Sequence, residues 1–395
     1  MIKFNLFDWI RVYIDHHSSD GQLLSHLKYM NESGQFWLVC CRGYSQRGKI
    51  SRRQKVASFG LDFICLSLVS YIVYLAYIET ESVQIMTSVF ILINFLGIRW
   101  ASIYCELTNQ FTILRVLDDL LFAGHFDGLI DLMGPVNCRL FKKFTFIMVK
   151  FNSFAVFAAA PGLVLYNIFA VLRLEVIQQL FQSDRVEIDR LSDLWWSIEN
   201  RYNLLIVVPG LVITIIFLLQ NVAWCFTHII IFMTYSTLIL DNIINSADHH
   251  HSSSVDCSKY WRATNYCYNQ INIMKQQFSP ITFYGFMLGC FGTDFALFTG
   301  CIYGTGNSTL NLIIAGLGLL AVSMLTMINI TAAQAIRKIN YCEKLNYRLS
   351  YSCKCSISIK LKRLSTIRRM QISPIGFYVG NLFLMDNYRY FVVSN

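Results

Sequence analysis

Residues 203–232 read NLLIVVPGLVITIIFLLQNVAWCFTHIIIF, a run with no Asp, Glu, Lys or Arg. A bilayer core of about 30 Å is crossed by about 20 apolar residues in a helix. Asn203–Phe232 is therefore a membrane span, and because it is longer than the bilayer needs, it must tilt or run past the surface. The same length test, carried outward, marks Ser58–Ile78, Val83–Cys105, Phe144–Leu172, Ile281–Tyr303 and Leu310–Ala335 as further spans. Within Phe144–Leu172, the pair Pro161-Gly162 predicts a kink. A last span begins after Pro374 as the apolar run Ile375–Met385 (IGFYVGNLFLM) and continues into Asp386, Asn387, Tyr388, Arg389 and Tyr390. The expected fold is an all-α membrane protein with seven transmembrane helices.

Composition agrees with this class. Of 395 residues, 55% are hydrophobic, 15% aromatic and only 14% charged, whereas soluble domains are nearer a quarter charged. Mean hydropathy is +0.45. A formal charge of +9 would point a soluble protein towards nucleic acid. Here the bases cluster in a few loops, which makes them a topology signal, and no nucleic-acid partner is expected. Phe4–Ile14 is apolar but holds Asp8 and Arg11 with no small-residue cleavage site after it, so the first span is expected to act as the insertion signal. The thirteen Cys are scattered, and Cys40-Cys41 and Cys353-Lys354-Cys355 lack zinc spacing, so reduced thiols without metal or cofactor are expected.

The segments between spans organise the chain. Residues 1–57 form a basic cytoplasmic segment, and 58–335 a six-helix region with cytoplasmic helical extensions at 106–143 and 233–280. A second basic cytoplasmic segment covers 336–372, and 373–395 is the final helix. In 106–143, Ile113, Val116, Leu117, Leu120 and Leu121 recur at helical spacing among Arg115, Asp118 and Asp119, the pattern of a helix projecting from the membrane. With the N-terminus inside, the segments 1–57, 106–143, 233–280 and 337–372 carry 9, 4, 3 and 10 Lys and Arg, against 4 outside. The positive-inside rule therefore gives a cytosolic N-terminus. Of two sequons, Asn307-Ser308-Thr309 falls in an outside loop and Asn329-Ile330-Thr331 within a span. Glycosidase treatment should shift the expressed protein, and Asn307→Gln should abolish the shift; a shift that survives the substitution would reverse the topology.

A small-molecule pocket is expected between the outer halves of spans three to six, where Tyr166, Asn167, Asp294, Phe298 and Asn311 fall. Aromatic walls with a few polar anchors suit such a site, although ordinary helix packing accounts for any one of these residues as well. Asp294 is mid-span, where a buried carboxylate is functional by default; as a ligand anchor, Asp294→Asn should change ligand sensitivity and leave surface expression intact. Asp62 is expected near the headgroups. Gly285, Gly289 and Gly292 are spaced for close helix packing. Trp195-Trp196 suits either a pocket mouth or an interfacial belt. Consecutive His249–His251 read as a solvated turn, since adjacent histidines in a loop do not converge on a metal. No phosphate loop, nucleophile elbow or metalloprotease helix is present, so no enzyme is expected.

Seven spans with the N-terminus inside reverse the topology of a G-protein-coupled receptor, and the chain lacks both Asp-Arg-Tyr after span three and Asn-Pro-x-x-Tyr in span seven. The topology, short outside loops and long helical inside segments resemble the insect chemosensory receptors, especially the gustatory branch. Gln371–Tyr378 (QISPIGFY) is similar to that family's lead-in to its final helix. The family's Thr-Tyr, five variable residues, Gln-Phe signature does not occur before Asn395, so the last helix is expected to be cut short and residues 1–395 to pass little or no current alone. The resemblance implies a multi-pass plasma-membrane protein that binds a small-molecule tastant and gates a cation channel. It also implies a homo- or hetero-tetramer with related subunits, embedded in lipid. Its last helices would line the pore, here through Phe377, Asn381, Asp386 and Arg389. Charged groups there are costly against lipid and must face water or a partner, unless Asp386–Asn395 is a polar terminus outside the bilayer. The rivals are a G-protein-coupled or other non-channel seven-helix receptor and a transporter; the absence of internal repeats counts against the latter.

Overall fold

The structure, a computed structural model, describes residues 6–45, 49–78, 83–108, 112–172, 208–249, 254–303, 308–352, 357–372, 376–379 and 383–384. In chain order the helices are α1 (Leu6–His17), α2 (Asp20–Phe36), α3 (Arg52–Ile78), α4 (Val83–Leu107), α5 (Thr112–Ala123) and α6 (Asp127–Leu172). They continue as α7 (Val208–His249), α8 (Ser254–Leu297, prolonged by a π-helical turn Phe298–Tyr303), α9 (Ser308–Ser352) and α10 (Ile357–Ile372). A short ribbon, β1 (Tyr378–Val379) with β2 (Phe383–Leu384), closes the described chain. Val89–Leu107, Asp127–Leu165, Val208–Ala247, Tyr260–Tyr303 and Ile314–Arg348 are long and apolar enough to cross a membrane, consistent with an all-α membrane protein.

Five such helices among the described residues are fewer than the seven spans expected. Ser58–Ile78 does lie in a helix, α3, but that helix starts with Arg52, Arg53 and Lys55 and holds Asp62, and it is not among the five. The other difference is sharper. The run after Pro374 is not helical where it is described: Tyr378 pairs with Leu384 and Val379 with Phe383 in antiparallel register. Tyr, Val and Phe favour pleated backbone, and Gly380-Asn381 between them is a turn-type pair. An apolar run of eleven residues also falls short of the length that holds a helix across lipid. Val379 and Phe377 are buried, the latter edge-on to Phe232 of α7, and Thr282 Oγ1 of α8 donates to the Tyr378 carbonyl at 2.8 Å. The ribbon is thus docked on the bundle.

Four helices far exceed a bilayer. α6, α7, α8 and α9 have 46, 42, 44 and 45 residues, which at about 1.5 Å per residue is about 60–70 Å, twice the hydrocarbon thickness. Spans four to six and the polar stretches next to them are therefore single continuous rods, whereas α6 is two helices joined at Gly134. α7 is the axis: 94% of its most apolar window is buried, against 22% for α8 and 28% for α9. It packs against α3, α4, α6, α8 and α9. The outer helices turn Phe59, Phe63, Phe291, Leu312 and Leu319 away from the core. Such a surface would be a liability in water and is the proper boundary with lipid.

Two local features depart from the sequence expectation. Residues 106–143 are not one projecting helix: α4 ends at Leu107, and α5 ends before Gly124, whose φ of +71° is the left-handed conformation that stops helices. Leu114, Leu117 and Leu120 still make the buried face of α5, as their spacing requires. In α6 the backbone leaves helical geometry at Gly134 (φ +79°), one residue before Pro135, and not at Pro161-Gly162. Pro161 sits inside the helix.

The N-terminal segment is more than a basic tail. α2 buries Leu23, Leu27, Met30 and Gly34 along one stripe, and α1 and α2 both pack on α6. Lys142 and Lys143 of α6 hold Asp20 and Asp15 in ion pairs. The segment after α2 then enters the core, with Val39, Cys40, Cys41 and Tyr44 buried. Burial pushes the Cys41 thiol up to about 11, helped by the nearby Glu106 charge, and carries the Tyr44 phenol well above its usual range. Cys41 therefore stays a neutral, unreactive thiol at physiological pH.

Candidate functional site

A cavity of about 160 Å³ lies where five helices converge. Ile91 and Phe95 come from α4, Ala159 and Leu163 from α6, and Leu219 and Val222 from α7. Leu288, Gly292 and Phe295 of α8 and Ile314, Leu317 and Met324 of α9 complete it. All five helices contribute from the same end of the bundle: α4, α7 and α9 near their start, α6 and α8 near their finish. At about 1.5 Å per residue, these positions lie roughly 10–25 Å below that end, less than the thickness of a bilayer core. No family model matches the chain, and no curated protein matches it.

The wall is wholly apolar, and two of the expected glycines explain how the helices come together around it. Gly285 of α8 lets Phe226 of α7 lie against its backbone, and Gly289 does the same for Leu325 of α9. Gly292 differs: a Cβ there would meet only Leu288 Cδ1, at 3.7 Å, because the space beyond is the cavity. It is the one residue of the lining that the sequence had singled out. The other lining residues are ordinary Leu, Ile, Val, Ala, Phe and Met of spans, and no pattern distinguishes those facing a void from those facing a neighbour.

The residues expected to form a pocket do not line this one. Asp294 and Phe298 are exposed, and Phe298 stacks on Tyr303 at the end of the π-helical turn. Asn311 is half-buried at the start of α9 and outside the lining. Tyr166 and Asn167 belong to α6, but their side chains lie outside the described residues, as do Asn307, Asn381, Asp386, Arg389 and the Trp195-Trp196 pair. Phe377 is described and buried against α7, so in the docked ribbon it faces protein. Asp294 is nine positions before Tyr303, roughly 14 Å below that helix end, where an exposed carboxylate needs water or a partner. Asp294→Asn is accordingly expected to leave binding in the cavity unchanged; weakened cavity binding in a variant with the parent's melting temperature would return Asp294 to the ligand.

One helical turn deeper than Phe95, Arg99 of α4 is fully buried. Its guanidinium donates to Ser58 Oγ (2.6 Å), Asn221 Oδ1 (3.1 Å), Asp62 Oδ1 (3.4 Å) and the Leu38 carbonyl, and lies 5.1 Å from the Phe217 ring centre. Five donors in a planar fork suit this convergence, which no lysine would reproduce. Asp62, expected near the headgroups, meets Arg99 with 19% of its side chain exposed. Further along α4, buried Glu106 accepts from the Arg42 backbone N–H at 2.7 Å. On α7, His228 Nδ1 faces the Trp224 carbonyl at 2.7 Å and must carry the hydrogen, leaving Nε2 to accept from Tyr44 O–H at 2.9 Å. These contacts tie the N-terminal segment to α3, α4 and α7 directly beneath the cavity. An arginine inside span two was the signal in the sequence.

Proposed function

We propose that this chain is a chemosensory receptor of the gustatory type, which binds a small molecule within its membrane helices and gates a cation pathway as an oligomer in the plasma membrane. The observation that carries the proposal is the cavity among five helices that are long and apolar enough to cross a membrane. The excess of bases in 1–57, 106–143, 233–280 and 337–372 supports a cytosolic N-terminus. The exposed carboxylate of Asp294 supports assembly with further subunits, whose surfaces would shield it from lipid.

The mechanism follows from position. A ligand seated against Phe95 and Val222 touches the residues one turn from Arg99 and next to Asn221. Asn221 Oδ1 accepts from Arg99, and Arg99 in turn donates to the Leu38 carbonyl and Ser58 Oγ, so a change in helix spacing at the cavity would be felt by the N-terminal segment and α3. A ligand shifts such an equilibrium only by its preference for one arrangement. The test is patch-clamp recording from cells expressing the chain with related receptor subunits. Ligand-evoked current whose reversal follows bath cations is expected; uptake coupled to an ion gradient without such current, or a response that vanishes on blocking G-protein activation, would favour the rival classes.

A further inference from the structure

We propose that the cavity takes one uncharged molecule of about the size of a single six-membered ring, with no hydrogen-bonding group, and that it rejects hydroxylated compounds. This deepens the receptor proposal by naming the ligand class, and it rests on that proposal only for its physiological meaning. The size follows from the volume: about 160 Å³, in a pocket open on one side, is close to the roughly 150 Å³ of an apolar cavity that holds benzene. The chemistry follows from the wall. Phe95, Leu163, Leu219, Phe295, Leu317 and Met324 present only hydrocarbon, ring and thioether surface. A hydroxyl moved from water into that wall loses its hydrogen bonds and gains none, which weakens binding about tenfold to a hundredfold. A sugar, with several hydroxyls, is excluded outright. Charged ligands are excluded more strongly still, since the lining holds no charged side chain and Arg99 and Asp62 pair with each other.

Gly292 makes the proposal testable without disturbing the helix packing. A side chain added there grows into the cavity, with Leu288 Cδ1 at 3.7 Å as its nearest obstacle. Replacing a helical glycine is itself favourable to the helix. Gly292→Leu should therefore fold and close the site, and Ala321→Phe should fill it from α9. The measurement is ¹⁹F NMR on purified protein in phosphatidylcholine nanodiscs, with fluorobenzene, 4-fluorophenol and 2-deoxy-2-fluoroglucose as probes. Saturable binding of fluorobenzene is expected, distinct from linear partition into lipid, with 4-fluorophenol at least about tenfold weaker and the sugar unbound. Both filling variants should abolish saturable binding while keeping the parent's melting temperature and size-exclusion profile. If fluorobenzene only partitions, if 4-fluorophenol binds as tightly, or if Gly292→Leu folds and binds unchanged, the inference falls. Displacement of fluorobenzene by added fatty acid at the lipid's own concentration would also overturn it, by giving the cavity to an acyl chain. Because the readout involves no current, the two proposals fail separately. Fluorobenzene binding in a chain that never conducts upholds the ligand class against the receptor proposal; currents evoked by a sugar without fluorobenzene binding do the reverse.

Discussion

Arg99→Ala is expected to destabilise the protein by about 3–5 kcal/mol, the range for removing one partner of a buried ion pair. The substitution leaves the Leu38 carbonyl and Asn221 Oδ1 without their donor, strands Asp62 against apolar helices, and opens a void beside Phe217. Expression at the cell surface should be lost or nearly so, and any recovered protein should melt far below the parent. The pair Arg99→Met with Asp62→Leu separates charge from packing. Apolar replacements of similar volume often match a buried ion pair, so the double variant should recover most of the melting temperature. It should not recover the link to the N-terminal segment, because Met offers nothing to the Leu38 carbonyl. A parent-like melting temperature for Arg99→Ala would remove the cluster from the account of stability.

The second large effect is at Gly300, in the π-helical turn that ends α8. A Cβ there would lie 2.7 Å from the Ala315 backbone nitrogen and 2.8 Å from the Asn311 carbonyl oxygen of α9. Those are backbone atoms, so the clash is relieved only by moving one helix from the other. Alanine favours helix over glycine by about 1 kcal/mol, but overpacking against a rigid neighbour costs typically 1–3 kcal/mol and sometimes more. The clash wins. Gly300→Ala should lower the melting temperature and also loosen the cavity, whose Ile314 sits beside the contact. Gly316 is the control on the facing helix, since a Cβ there meets nothing within 4 Å. Gly316→Ala should be neutral or slightly stabilising. Equal losses for both variants would contradict this, because helix propensity favours alanine at both sites and only Gly300 has the contact.

The long apolar helices were legible because their signal is additive: Val208–Ala247 holds one charged residue, Asp241, and Ile314–Arg348 none before Arg337, so length alone decides them. What surrounds them was less so. Residues 1–57 read as a basic segment, yet Leu23, Leu27 and Met30 of α2 are in the core. Their stripe is legible at helical spacing, but the target it packs on, α6, is more than a hundred residues away in sequence. The run after Pro374 was misjudged because hydropathy does not distinguish an apolar helix from an apolar ribbon at that length; strand-forming Tyr378, Val379 and Phe383 beside Gly380-Asn381 were the local clue. The cavity takes in Ile91 and Phe95 of span two beside residues of spans three to six, and its membership was not legible. Polar and aromatic residues draw attention in a sequence, whereas this wall is made of residues that look like packing, and only Gly292 stood out.

The central claim is that a small molecule in this cavity opens a cation pathway. It is tested most directly by recording from cells that express the chain with related subunits, comparing the parent with Gly292→Leu at matched surface expression. An apolar monocyclic compound should evoke cation current in the parent and none in Gly292→Leu, while the variant still reaches the surface. Currents of the same size and sensitivity in both would contradict the account, because the cavity beside Gly292 would then have no part in gating.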